Sequence, residues 1–154
     1  MVRVIINVDS SKMENVSQHI PEIRKKGLNY SAQGMLRHLK QNSPVDQGHL
    51  KGWYSENISD TEVEIKTPAE YAKFVNDGTG IYNGGSIIRP KNGSSVLRFK
   101  PGRKWKGSVN KDGYVYLKWS RGQKGQHFVE KSIEQTRRQL AGYFIKAIHE
   151  VLKQ

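Results

Sequence analysis

Eleven cations fall between residues 89 and 124: Arg89, Lys91, Arg98, Lys100, Arg103, Lys104, Lys106, Lys111, Lys118, Arg121 and Lys124. Asp112 is the one carboxylate among them, and Trp105, Tyr114, Tyr116 and Trp119 are interleaved. Guanidinium and ammonium groups hold phosphates or carboxylates, while rings offer stacking surface, so this pattern suits contact with nucleic acid or an acidic protein. The same composition fits a solvated loop, and Tyr114, Tyr116 and Leu117 fit one face of a strand equally well. The candidate contact residues are Arg89, Lys91, Arg98, Lys100, Arg103, Lys104, Trp105, Lys106 and Lys111.

Other reactive side chains form no such constellation. The chain has no cysteine, which excludes disulfides and thiolate zinc sites. Its five histidines (His19, His38, His49, His127, His149) lack paired metal-ligand spacing, and His38 and His49 flank only one carboxylate, Asp46. Gly78-Thr79-Gly80 is not followed by the Gly-Lys-Ser/Thr of a phosphate-binding loop, so these glycines read as turn residues. Glu62 and Glu64 alternate with Val63 and Ile65 on the wet side of a strand, and nothing recommends an acid–base pair. No enzyme, cofactor or metal is expected.

The charge is localised. The 154 residues carry 26 Lys and Arg against 14 Asp and Glu, a net charge of +12. Residues 1–88 hold ten cations and ten anions, residues 125–154 are +2, and residues 89–124 supply +10. A neutral scaffold therefore carries one cationic insertion, which repels itself unless something anionic lies beside it. No run of about 18 apolar residues exists, so no membrane contact is expected. Met1–Val8 is short and polar for a secretory signal, and the chain reads as cytosolic.

Periodicity supplies the elements that position these residues. Val2–Val8 alternates like a short strand, and Asp9-Ser10-Ser11 offers N-caps for a helix reaching about Gln41, with a break or restart at Pro21. Ile23, Leu28, Ala32, Met35, Leu36 and Leu39 mark its apolar face, and Gly27 and Gly34 suggest close helix packing. Asn42-Ser43-Pro44 ends it. Leu50–Ile58 and Thr61–Thr67 form strands around Ser59-Asp60, and Pro68–Asn76 forms one or two helical turns. Ser95–Lys100 and Tyr114–Ser120 are further strands, separated by an extended basic loop, Pro101–Gly113. Gly122–Gly125 makes another break. Gln126–Leu152 is a helix with Phe128, Ile133, Leu140, Phe144, Ile148 and Val151 as its apolar stripe. The expected fold is α+β: antiparallel sheet packed against long N- and C-terminal helices, in one domain spanning 1–154.

Three segments carry a pattern: Ser43-Pro44-Val45-Asp46-Gln47-Gly48-His49-Leu50, Tyr71-Ala72-Lys73-Phe74-Val75-Asn76-Asp77-Gly78-Thr79-Gly80, and Gly125-Gln126-His127-Phe128-Val129. Together they resemble the head–tail joining or tail-completion (neck) proteins of long-tailed bacteriophages and prophages. In that family a helix ends in a Pro-Val-Asp-x-Gly-x-Leu turn, and a Tyr-Ala-x-x-Val-x-x-Gly-Thr segment follows a hairpin. His127 stands where the family usually has proline, and Asn76-Asp77 replaces a more usual acidic residue.

The matched residues suit structural work. Pro44 stops the helix, Asp46 can accept a hydrogen bond from its own turn, and Gly48 can take a positive φ. Leu50, Tyr71, Phe74 and Val75 are expected to pin the hairpin to the helices, while Gly78 and Gly80 release the chain around Thr79 into a loop. The resemblance implies a non-catalytic ring, sixfold favoured, in the virion neck, assembled in the bacterial host cytoplasm. It implies a portal-side adaptor and a tail-tube or tail-terminator protein as partners; on it the basic stretch either touches genomic DNA without reading sequence or docks on an acidic patch of one of those proteins, the second being favoured because an adhesive lumen would hinder DNA ejection. The alternative is a stand-alone, sequence-nonspecific nucleic-acid-binding protein using residues 89–124.

Overall fold

Helix α1 spans Ser11–Asn42 without interruption, in a computed structural model that describes residues 11–44, 49–102 and 105–153. The expected strand Val2–Val8, the turn residues Asp46 and Gly48, and Arg103 and Lys104 lie outside the described residues. The break expected at Pro21 does not occur. A proline ring removes one helical hydrogen bond and crowds the preceding turn. Here that turn is largely exposed, so it has room to splay towards water.

After a single 3-10 turn at His49–Lys51 come strands β1 (Tyr54–Ser59) and β2 (Glu62–Lys66), and a short helix α2 (Ala72–Asp77) follows them. A second 3-10 turn, Gly80–Asn83, precedes β3 (Leu97–Phe99) and β4 (Val115–Leu117), and α3 runs from Phe128 to Leu152. The architecture is α+β, with the strands in two separate antiparallel pairs, β1–β2 and β3–β4. β1 starts four residues later than expected because Leu50 is drawn into the 3-10 turn and buried. The described residues fall into two compact units, to which α1 and α3 each contribute a part.

One unit contains α1 through His38, the β1–β2 hairpin and α3 from Glu134. Its core joins Ile23, Ala147 and Val151, with Tyr30 packed against them. Gly27 and Gly34 have the close-packing role expected of them. A Cβ on Gly27 would sit 2.6 Å from the Phe144 ring, and one on Gly34 would meet Tyr143. The Tyr30 hydroxyl donates to Glu150, and Lys146 Nζ lies 4.2 Å from the Tyr30 ring centroid. The apolar stripe expected on α3 is only partly buried. Ala147 and Val151 face inward and Phe144 is half-buried, whereas Leu140 and Ile148 are exposed. The buried line follows small residues that admit α1's aromatic and glycine face, which a hydropathy pattern does not register.

The other unit comprises Leu39–Trp53 and Thr67–Ile133. Leu39, Leu50, Ala69, Ala72, Val115 and Phe128 are buried in it, while Ile133 is exposed. In β4, Leu117 turns to the face opposite Tyr116, the ordinary alternation of a strand.

Candidate interaction surface

The three sequence segments converge in this second unit. The Trp53 indole donates to Ser43 Oγ at 3.1 Å and meets the Phe128 ring edge-on at 6.3 Å. Asn42 Nδ2 donates to Ser132 Oγ at 2.9 Å, and Ser132, fully buried, donates to the Phe128 carbonyl. The end of α1, Trp53 and the start of α3 are thereby tied together, with Pro44 half-buried just beyond α1.

Asn76 is the node of this junction. It is 6% exposed; its Oδ1 accepts the Val129 N–H at 2.9 Å and its Nδ2 donates to Glu130 at 3.0 Å, so it caps α3 from a distant segment. Its carbonyl accepts the His127 N–H at 3.0 Å, and His127 adopts φ +48°. Proline has no N–H and a φ fixed near −65°, so the departure at His127 matches the hydrogen bond this junction makes.

Gly78, Thr79 and Gly80 hold the chain against residues 121–125. Thr79 donates its N–H to the Gln123 carbonyl at 2.8 Å, and its hydroxyl accepts the Gln123 N–H at 2.9 Å. Gly78 and Gly80 have φ of +85° and +62°, and a Cβ on either would strike the backbone of that facing segment at 2.6 or 2.3 Å. Their purpose is close backbone approach rather than release into a loop. Gly122 answers from the other side: at φ +93°, its Cβ would lie 2.0 Å from the Thr79 carbonyl oxygen.

Of the four residues expected to pin the hairpin, Leu50 is buried and Val75 half-buried, whereas Tyr71 and Phe74 are 45% and 58% exposed, because α2 turns Ala72 and Asn76 inward instead. Sequence reasoning missed Asn76 and Gly122 as junction residues; the pairing of the Thr79 and Gln123 segments, which are distant in sequence, leaves no local signal.

The cationic stretch lies on the outside of the same unit. Arg89, Lys91, Arg98, Lys100, Lys106 and Lys111 are exposed, and among the described residues none of the cations of 89–124 makes a salt bridge. Arg98 pairs across the ladder with Tyr116, and its guanidinium lies 3.8 Å from the Tyr114 ring centroid. The opposite face of this hairpin carries Leu97, Phe99 and buried Val115, with Trp105 set edge-on against Phe99 at 5.4 Å. Asp112 accepts the Tyr116 hydroxyl and the Tyr114 N–H, which hold its carboxyl below the ordinary 3.8 and push the Tyr116 hydroxyl up. The structure thus brings Arg98 together with Tyr114, Tyr116 and Asp112, and leaves Arg89, Lys91 and Lys111 with no described partner.

Among the described residues, no group of three or more His, Asp or Glu is placed to hold a metal, and no helix is long and apolar enough to cross a membrane. The neutral segment from residue 10 to residue 78 matches the family model described as "Bacteriophage HK97-gp10, putative tail-component". The segment carries α1, the β1–β2 hairpin and α2, and it ends at Gly78, where the junction with 121–125 begins. No curated protein and no solved structure matches the chain significantly.

Proposed function

We propose that this protein is a non-catalytic morphogenesis component that forms a ring at the head–tail junction of a phage or prophage particle. One observation carries the reading. The segment matched to a tail component contains the first neck-type motif and the second as far as Gly78, and within them Leu50 is buried, Asn76 caps a helix and Gly78 makes a close backbone contact, which is structural work. Among the described residues, the cations of 89–124 make no salt bridge and many are exposed, as suits a chain that docks on acidic surfaces of its neighbours. On this reading the neighbours are a portal-side adaptor and a tail-tube or tail-terminator protein, and the genome passes through the ring.

The test is a null allele in the parent phage, complemented by the intact gene. Without the protein, electron microscopy should show filled heads and finished tails that remain separate, and purified joined particles from the complemented strain should contain the protein. Joined, infectious particles in the null strain would overturn the proposal.

A further inference from the structure

Two hairpins of opposite charge stand out in the same chain. On β1–β2 the register sets Glu56 directly opposite Glu64, and Glu62 and Lys66 share their face by alternation along β2. Like charges directly opposite on a sheet are destabilising. Here Lys66 Nζ bridges them, at 2.8 Å from Glu56 and 2.9 Å from Glu64, which lowers the Glu56 carboxyl below its ordinary range. The face still carries three carboxylates to one ammonium. Its rim has an exposed ring, Tyr54, which pairs with Lys66 across the ladder.

The β3–β4 hairpin has the inverse arrangement. Arg98 on the strand and Lys100 and Lys118 just beyond the strand ends oppose one carboxylate, Asp112, which is bonded within the hairpin to Tyr116. Tyr116 is 38% exposed beside them.

We infer that the acidic β1–β2 face of one copy docks on the basic β3–β4 face of a second copy. The inference rests on the ring reading above and names the surfaces that make it. Because the two faces differ, the contact is heterologous, and repeated copies close into a ring when the rotation permits. Exposed ion pairs contribute only about 0–1 kcal/mol each. The charges therefore select which faces meet, and the affinity comes from burying Tyr54 and Tyr116. A DNA duplex fits the basic face less well, since Asp112 would lie against phosphates and the acidic hairpin would have no role.

The experiment is sedimentation velocity of the full chain in about 0.15 M salt, where long-range repulsion between copies is screened beyond about 8 Å. Two variants reverse the faces. Lys100→Glu with Lys118→Glu turns the basic face acidic and keeps the Arg98–Tyr114 stack. Glu56→Lys, Glu62→Lys, Glu64→Lys and Lys66→Glu together turn the acidic face basic and preserve an alternating ion-pair pattern. The expected result is concentration-dependent association of the wild type, weakened about tenfold or more in each variant alone, and restored in an equimolar mixture of the two. Circular dichroism confirms that each variant folds, and Lys118→Glu alone serves as a milder second probe.

A wild type that stays monomeric, or association untouched by both variants, overturns the inference. Tight duplex DNA binding that Lys100→Glu with Lys118→Glu abolishes, without self-association, assigns the face to nucleic acid and also overturns it. Each of these results leaves the head–tail joining assay to judge the ring reading separately.

Discussion

Asn76 joins two segments distant in sequence through one buried side chain, since it accepts from Val129 and donates to Glu130. Asn76→Ala removes a helix cap and leaves a buried N–H without its acceptor, so it should cost about 1–3 kcal/mol, read as a lower urea midpoint. Gly122→Ala combines a φ of +93° with a Cβ placed on the Thr79 carbonyl. It should cost about 2–4 kcal/mol by the same measurement, since strain and backbone overlap add. Asp112 makes a pH prediction with a definite sign. Its folded pKa lies below the ordinary 3.8, through the Tyr116 hydroxyl first and the Tyr114 N–H second. Its contribution to the β3–β4 hairpin is therefore complete above the unfolded value and is lost as pH falls through the lower folded one. The Tyr114 amide and Tyr116 ring signals in NMR should shift below about pH 4, and Asp112→Asn should remove that response while leaving the β1–β2 hairpin signals unchanged.

Two glycines on long helices make opposite predictions at the scale of the element. In an exposed helix, replacing Gly with Ala stabilises by about 1 kcal/mol. Gly142 in α3 has open space where its Cβ would stand, so Gly142→Ala should raise the urea midpoint by about that amount. Gly27 in α1 has the Phe144 ring at 2.6 Å, so Gly27→Ala should lower the midpoint in spite of better propensity, because overpacking costs about 1–3 kcal/mol. The close approach was legible in the sequence at Gly27 and Gly34, since a helix keeps such costly residues for a reason. The helices and both hairpins were legible too, from apolar spacing and from the alternation of Val63 and Ile65 with Glu62 and Glu64. The α3 stripe was misread at Ile133, Leu140 and Ile148, because burial there follows Ser132 and Ala147 and no hydropathy period reveals which side a partner helix will choose. Pro21 was misread for a related reason: the rule for proline assumes a crowded turn, and this one faces water. Among junction residues, Asn76 became visible only when the 76–79 and 123–130 segments were brought together.

For the whole molecule, the decisive quantity is where +12 resides. The segment matched to the tail-component family is the neutral part, and the +10 stretch lies outside it. Within the described residues those cations have no ion pairs, so folding gathers like charges onto one unit with one carboxylate, Asp112, among them. The unfolded chain spreads the same charges further apart, so repulsion weighs on the folded state, and added salt relieves it. The melting temperature should therefore rise with sodium chloride between about 0.02 and 0.3 M, where the Debye length falls from about 20 to 6 Å. A protein stabilised mainly by surface ion pairs would show the opposite slope. Lys91→Glu, Lys106→Glu and Lys111→Glu together bring the net charge to +6. That variant should melt higher than wild type at low salt and respond less to salt, with the two curves converging at the upper end. Parallel curves would mean that the cations are already neutralised within the fold, and the case for an outward-facing docking surface would go with them.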